Sequence, residues 1–190
     1  KEAVCHTEGP LLVLAGAGSG KTRVLTRRIA YLMANGVPPW NILAVTFTNK
    51  AAQEMRDRVE ALVGEMARSI WVHTFHTACV RILRQEIEAL GYSKNFVIFD
   101  SQDQLTVVKN VLKELNISDK NFQPRAILNS ISAAKNELID AETYYRKAAD
   151  FWSNTVAEVY RRYQKRLKAN NGLDFDDLIK LPVQLFAEHP

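Results

Sequence analysis

The feature that most constrains the fold of this chain is an apolar run that leads through a glycine-rich loop into a helix pattern. Residues 11–15 read Leu-Leu-Val-Leu-Ala, glycines recur from Gly16 to Gly20, and apolar residues then follow at helical spacing until Gly36. This pattern predicts a buried strand, a tight loop and an amphipathic helix. Such a succession is typical of proteins in which helices cover a parallel sheet.

The same succession returns twice further along the chain. A strand pattern at 41–47 precedes a helix pattern at 49–62, and a strand pattern at 70–75 precedes a helix pattern at 76–90. Consecutive strand–helix units predict neighbouring parallel strands joined by helical crossovers. We therefore expect an α/β fold with a parallel sheet.

The character of the sequence changes after Gly91. From there to Gly172 the chain has no further glycine and a single proline, Pro124, which predicts a mostly helical stretch. The expected helices are 102–116, 124–138 and 141–170, the last with one or more breaks, and a further helix at 176–186. The helix at 141–170 carries a basic group that is either a solvated face or a phosphate contact: Arg161, Arg162, Lys165, Arg166 and Lys168.

Composition excludes several classes of protein. The 190 residues are 47% hydrophobic and 24% charged, which excludes a disordered, collagen-like or disulfide-scaffold chain. The two cysteines, Cys5 and Cys79, are expected to be reduced. No apolar run has the roughly 18 residues that a membrane span requires, so we expect a cytoplasmic protein without a membrane partner. The net charge of +4, concentrated in residues 1–84, is weak support for an anionic partner.

The glycine-rich segment has the spacing of a phosphate-binding loop, with alanine in place of its first glycine. Glycines allow a tight loop whose backbone N–H groups surround anionic oxygens, and the following helix adds a partial positive charge. Lys21 is expected to reach the β- and γ-phosphates and Thr22 to bind Mg²⁺. The alternative is a glycine turn that only joins a strand to a helix. The segment consists of Ala15, Gly16, Ala17, Gly18, Ser19, Gly20, Lys21 and Thr22.

Small polar residues and an aromatic residue stand at the ends of the next two predicted strands. In a parallel sheet these ends lie on the edge that carries the phosphate loop. Phe47 and Phe75 could each offer a nucleic-acid base a stacking surface. The alternative is that both rings belong to the hydrophobic core.

Four segments together resemble the UvrD/Rep/PcrA-like superfamily 1A DNA helicases, and the PcrA branch most of all. They are the loop 15–23, Thr46-Phe-Thr-Asn-Lys-Ala-Ala52, Thr74-Phe-His-Thr77 and Leu173-Asp-Phe-Asp-Asp-Leu178. The resemblance covers essentially the whole chain. It implies a RecA-like P-loop motor domain, 1A, made of residues 1–84 and 171–190, with an all-helical subdomain, 1B, inserted at 85–170.

The resemblance also implies an activity and its residues. The expected protein is an ATP-dependent translocase that moves 3′ to 5′ on single-stranded DNA and unwinds duplexes in repair or replication. Its partners would be single-stranded DNA, junctions of single- and double-stranded DNA, and the remaining helicase domains (the rest of 1A, 2A and 2B). Lys21 and Thr22 would serve ATP and Mg²⁺, and Arg23 would lie beside the adenine. The residues expected to contact DNA are Phe47, Thr48, Asn49, Lys50, Thr74, Phe75 and His76.

The chain also departs from the family pattern. An adenine-reading glutamine, an Asp-Glu-x-x-Asp segment and the arginines of a second motor domain do not occur in it. Residues 96–100 mimic a strand that ends in a carboxylate, but Ser101 follows where a glutamate is required, so Asp100 or Ser101 is expected to cap a helix. We therefore expect a fragment that is inactive alone.

Three alternatives stay open at the level of sequence. A phosphotransferase with a helical lid and a non-catalytic nucleotide- or DNA-binding module are the rival functions. His73 and His76 could suggest a metal pair, although the strand–helix boundary between them makes this unfavourable. Asp174, Asp176 and Asp177 could suggest a cation site, but carboxylates at a helix start more often cap it.

Overall fold

The computed structural model describes residues 1–16 and 18–189 and consists of two compact units, Lys1–Ala78 and Cys79–Pro190. The helices are α1 (Glu2–Cys5), α2 (Lys21–Ala34), α3 (Asn49–Val63), α4 (Phe75–Glu86), α5 (Ser101–Glu114), α6 (Pro124–Asn136), α7 (Ala141–Lys147), α8 (Phe151–Ala169) and α9 (Phe175–Glu188). The strands are β1 (Leu43–Thr46), β2 (Trp71–Thr74), β3 (Val97–Ile98) and β4 (Gly172–Leu173). Short 3₁₀ turns lie at Pro39–Asn41, Gly64–Ser69 and Ile87–Leu90.

The first unit contains two neighbouring parallel strands, as the sequence predicts. β1 pairs with β2 in parallel, with Leu43 opposite Trp71 and Thr46 opposite Thr74. Helices α2 and α3 cover the pair, because their apolar faces close a core with the inward side chains of the strands. The buried members of that core are Ile29, Ile42, Ala44, Met55, Val59, Ala67, Ile70 and Val72.

Residues 11–15 differ from the prediction, because they form no strand in the described part of the chain. Leu12 and Leu14 are 82% and 85% exposed. A strand is defined by hydrogen bonds to a neighbour, and no described segment pairs with this one. The sheets are therefore small: the structure is a mixed α/β fold with two two-stranded parallel pairs, β1–β2 and β3–β4.

The second unit is mostly helical, which confirms the prediction for this region. Helices α5, α6 and α8 pack around a core that includes Val108, Ile127 and Tyr163. The predicted break in 141–170 lies between α7 and α8, where Asp150 forms a capping box with Ser153. Asp100 caps α5 in the same way. Its carboxylate therefore belongs to a helix start, as the sequence predicts, and not to a catalytic Asp-Glu pair.

The basic group on α8 is largely neutralised by neighbouring acids. The guanidinium of Arg161 lies 2.8 Å from Glu142, that of Arg162 lies 2.7 Å from Glu158, and Arg166 pairs with Glu114. These contacts support a solvated, ion-paired face rather than a phosphate contact.

The helical segment begins and ends at one point. β3 pairs with β4 in parallel, and the Asn171 side chain accepts a hydrogen bond from Ser93 N and donates one to Ser93 O, at 2.8 and 3.2 Å. Gly172 lies against the Phe99 ring so closely that a Cβ atom there would be 2.2 Å from Phe99 Cε2. The boundary between the compact units falls inside α4, and the assignment of residues to domains 1A and 1B stays a prediction.

Candidate nucleotide and DNA site

The glycine-rich loop folds around the ammonium group of Lys21. Lys21 Nζ donates hydrogen bonds of 2.7 Å to both Ala15 O and Gly16 O. The Ser19 hydroxyl donates to Gly16 O at 2.6 Å. Gly18 and Gly20 have φ angles of 74° and 88°, which side-chain-bearing residues rarely adopt. The predicted site residue Ala17 lies outside the described residues.

The N-terminus of α2 is free of a side-chain cap. A threonine or aspartate directly precedes each of α3, α5, α8 and α9, and its side-chain oxygen accepts a backbone hydrogen bond. The residue before α2 is Gly20, which has no side chain. A Cβ atom at Gly16 or Gly18 would meet nothing within 4 Å. The first N–H groups of α2 are thus available to an anion, which they attract together with the helix dipole. This arrangement fits a polyphosphate.

Two cavities adjoin the loop. One, of about 560 Å³, is lined by Gly18, Ser19, Gly20, Arg23 and Arg27, together with residues of α1. The other, of about 360 Å³, has Lys21 and Thr22 on a wall that is otherwise mostly apolar. In the described part of the chain the guanidinium groups of Arg23 and Arg27 make no ion pair, so this side of α2 is positively charged.

Phe47 and Phe75 lie together at the ends of the two neighbouring strands. Their ring centroids are 5.4 Å apart, with 44° between the ring planes. Phe47 is 91% exposed and Phe75 is 43% exposed, so neither ring belongs to the core. Because Thr46 and Thr74 are opposite each other in the register, the residue after each strand emerges at the same edge.

The polar residues at this edge divide into two groups. The Thr48 hydroxyl caps α3 by accepting from Ala51 N at 3.1 Å, and Thr74 is buried, with its hydroxyl accepting from Thr77 N at 3.2 Å. These two threonines fix the starts of α3 and α4. The side chains of Asn49, Lys50 and His76 are exposed beside them.

The Asp-Phe-Asp-Asp segment holds a buried ion cluster that the sequence did not predict. Lys135 Nζ lies 2.6 Å from Asp174 Oδ2 and 2.8 Å from Asp177 Oδ1, and all three side chains are at most 2% exposed. Tyr163 OH donates to Asp174 at 2.9 Å, and Gln164 Nε2 donates to Asp177 at 3.1 Å. The clue in the sequence was a lysine on the apolar face of a predicted helix, one turn after Ile131.

The two carboxyl groups titrate differently. Burial alone would raise the pKa of Asp174, but the Lys135 ammonium and the hydrogen bonds hold that pKa below its ordinary value. Burial raises the pKa of Asp177, and the neighbouring Asp174 charge adds to this effect although Lys135 opposes it. Asp174 is therefore the more acidic of the two carboxyl groups.

The histidines and aspartates that the sequence offered as metal ligands form no metal site among the described residues. Asp174 caps α9, with its Oδ1 accepting from Asp177 N at 2.9 Å, as expected of a carboxylate at a helix start. Within residues 1–16 and 18–189 no three His, Cys, Asp or Glu side chains are grouped to hold a metal ion. Within the same residues, no helix is long and apolar enough to cross a membrane.

Comparison with known proteins gives a match over the whole chain. The family model described as the UvrD/REP helicase N-terminal domain matches residues 1–190. The chain belongs to this family. Among the relatives of this UvrD/REP helicase domain are proteins named ATP-dependent DNA helicase PcrA, from Bacillus subtilis (strain 168), at 56% identity, and from Staphylococcus aureus (strain Mu50), at 54%. Each match covers 100% of this chain and 26% of the relative, so the chain spans about a quarter of their length.

Proposed function

We propose that this chain supplies the ATP-binding loop and part of the single-strand track of an ATP-dependent DNA helicase that moves 3′ to 5′. The observation that carries the proposal is the pair of exposed rings, Phe47 and Phe75, at the edge formed by the ends of β1 and β2. A phosphate-binding loop alone is common to kinases, GTPases and motors. Two rings in contact at a strand-end edge favour a partner with stacking bases.

The loop residues have separate tasks in this proposal. The backbone of residues 15–20 and the uncapped start of α2 bind the phosphates, and Lys21 places its charge against the β- and γ-phosphates. The Thr22 hydroxyl holds Mg²⁺, which when bound neutralises charge on the phosphates. Arg23, which has no ion pair among the described residues, lies beside the adenine. The positive side of α2 at Arg23 and Arg27 supports an anionic ligand.

The DNA residues divide according to their exposure. Phe47 and Phe75 stack on bases, Asn49, Lys50 and His76 contact the strand from beside them, and Thr48 and Thr74 hold the helix starts that present these side chains. Stacking accepts any base, and contacts with the DNA backbone carry no sequence information. Binding is therefore expected to be insensitive to sequence.

The wider architecture follows the family. We propose that residues 1–84 and 171–190 belong to a RecA-like parallel-sheet motor domain, 1A, and residues 85–170 to an inserted helical subdomain, 1B. The exposed apolar segment 11–15 supports this proposal, because neighbouring strands of a larger sheet would cover it. The partners are single-stranded DNA, its junctions with duplex DNA, and the rest of domain 1A with domains 2A and 2B of the complete motor, which acts in the cytoplasm.

The test measures ATP hydrolysis by the protein that carries this chain, with and without oligo-dT, and displacement of streptavidin from biotin at either DNA end. We expect DNA to stimulate hydrolysis and streptavidin to leave the 5′ end faster, because a motor moving 3′ to 5′ collides with it there. Phosphate transfer to an acceptor without DNA stimulation would indicate a phosphotransferase. Nucleotide binding without turnover under any condition would indicate a binding module.

A further inference from the structure

The buried ion cluster joins two segments that the proposed domain division separates. Its donors are the side chains of Lys135, Tyr163 and Gln164, all within the helical segment 85–170. Its acceptors are Asp174 and Asp177, both within the segment 171–190. Each side alone is incomplete, because it would leave buried polar groups without partners.

The bonding of the two carboxylates is complete. The Oδ2 atom of Asp174 accepts from Lys135 and Tyr163, and its Oδ1 atom accepts from Asp177 N. The Oδ1 atom of Asp177 accepts from Lys135, and its Oδ2 atom accepts from Gln164. A carboxylate bonded at both oxygens can neither rotate nor shift without breaking a buried hydrogen bond, so the start of α9 is fixed relative to α6 and α8.

Stability is a weak reason for such a cluster. Removing charges from water offsets most of their mutual attraction, and well-packed apolar residues often stabilise the same site at least as well. A single alignment of the groups gives all four oxygens of the two carboxylates a hydrogen bond, whereas apolar side chains tolerate several alignments. The physical advantage of the cluster is therefore that it defines the position of the start of α9 relative to α6 and α8.

We propose that Lys135 is a positioning residue that locks the helical segment to the start of α9, so that the two move as one body. The inference rests on the proposed function and domain division for its mechanical consequence. In a translocating motor, this lock carries any displacement of the helical segment to the start of α9. Lys135 acts through Asp174 and Asp177 and contacts no nucleotide.

The test removes all three charges at once in the protein that carries this chain, with the variant Lys135→Met/Asp174→Asn/Asp177→Asn. Methionine keeps the unbranched chain of lysine, and asparagine is a good N-cap, so α9 retains its first turn. Asp100→Asn is the matched control, because it makes the same change at the exposed capping box of α5. Tyr163→Phe is a milder variant that removes one hydrogen bond and leaves no buried charge unpaired.

Two readouts separate the lock from the proposed function. Amide hydrogen exchange reports on the lock alone. In the wild type, we expect the backbone amides of α6 and of the start of α9 to exchange together. In the triple variant, those at the start of α9 should exchange faster while those of α6 do not. The base pairs unwound per ATP hydrolysed report on the consequence. We expect a fall of about threefold or more, within the range seen for coupled residues, with the rate of ATP hydrolysis nearly unchanged.

Each outcome decides one of the two proposals. Unchanged exchange at the start of α9 in both the triple variant and Tyr163→Phe would overturn the lock, as would a folded triple variant that unwinds as many base pairs per ATP as the wild type. A wild type whose hydrolysis ignores DNA would overturn the proposed function, and faster exchange in the variants would still support the lock.

Discussion

Phe47 and Phe75 are in ring contact although 28 positions separate them, because each directly follows one strand of a parallel pair in register. Their exposure decides between the two interpretations that the sequence left open. A core ring would be closed off from solvent, whereas Phe47 is among the most exposed side chains of the first unit. The pair is available to a ligand with flat, apolar faces.

Replacing Phe75 by alanine should weaken oligo-dT binding about tenfold, because stacking on an aromatic side chain is worth roughly 1–3 kcal/mol per base. The melting temperature should change little, since truncating a core phenylalanine is what costs about 3–5 kcal/mol. Fluorescence anisotropy and calorimetry measure the two effects. Trp40→Ala is the control, as that ring is 68% exposed at another position of the same unit. A large drop in melting temperature with unchanged affinity would assign Phe75 to the core.

Replacing Lys50 should change how strongly the affinity for single-stranded DNA depends on salt concentration. If its ammonium meets one phosphate, Lys50→Ala lowers the slope of log affinity against log salt by about 0.7 on single strands. Lys113→Ala, which removes an exposed lysine from α5, serves as the control. Equal slopes for the wild type and Lys50→Ala, measured from about 50 to about 200 mM salt, would show that Lys50 does not contact the DNA.

Lys21→Ala should abolish DNA-stimulated ATP hydrolysis and leave the fold intact. Its partners are two backbone carbonyls of an exposed loop, so no buried group loses a bond. A charged contact to the transferring phosphoryl is worth several kcal/mol. Steady-state phosphate release and circular dichroism measure turnover and folding. Turnover within about threefold of the wild type would be incompatible with an ATP site at this loop.

The two aspartates of the lock should respond to pH with opposite signs. The lowered pKa of Asp174 means that its contribution to stability is present at neutral pH and is lost as the pH falls through that pKa. The raised pKa of Asp177 means that its favourable form is the protonated one, which is lost as the pH rises through that pKa. Asp174→Asn should therefore lower the free energy of unfolding at pH 7 by about 3 kcal/mol, because it breaks a buried pair.

Asp177→Asn should lower the free energy of unfolding at pH 7 by less than Asp174→Asn does, because burial disfavours the ionised form of Asp177 and so reduces what its contact with Lys135 contributes. Urea unfolding at pH 7 measures the free energy of unfolding of the two variants and of the wild type. A loss at pH 7 as large as that of Asp174→Asn would contradict the opposite pKa shifts of the two carboxyl groups.

Gly172→Ala should destabilise the second unit. The added Cβ atom would lie 2.2 Å from Phe99 Cε2, a distance that forces the ring or the strand to move. Overpacking of this kind costs about 1–3 kcal/mol. The double variant Gly172→Ala/Phe99→Leu should recover part of the loss, because leucine vacates the space of the ring edge. Thermal unfolding of the two variants and of Phe99→Leu alone measures the coupling.

Local patterns predicted most of the helices and their starts. The apolar spacing of Ala52, Met55 and Val59 placed a helix at 49–62, and the structure has α3 at Asn49–Val63. Asp100 or Ser101 was expected to cap a helix because a capping residue acts on the turn that follows it, and Asp100 does so. Both features depend on residues within one or two turns of each other, which is the range over which sequence patterns act.

Features that depend on distant partners were not predictable in this way. The strand expected at 11–15 requires a neighbouring strand, and in the described part of the chain none pairs with it. Lys135 finds its carboxylates 39 and 42 positions away, so its burial could be suspected from the apolar face of α6 but its partners could not be named. The tight glycine turn before α2 was predictable because its geometry is local, and its role in phosphate binding stays a prediction.

The hydrogen bonds between Ser93 and Asn171 make the helical segment a cassette, since the chain leaves and returns at one point after 78 positions. Because its two ends lie side by side, such a segment can be gained, lost or exchanged in evolution without a change in the path of the rest of the chain. A short linker could replace it in an engineered protein. The exchange has a chemical condition. Any replacement must either supply an ammonium group to Asp174 and Asp177 or remove their charges. Lys135 and the two aspartates must therefore change together.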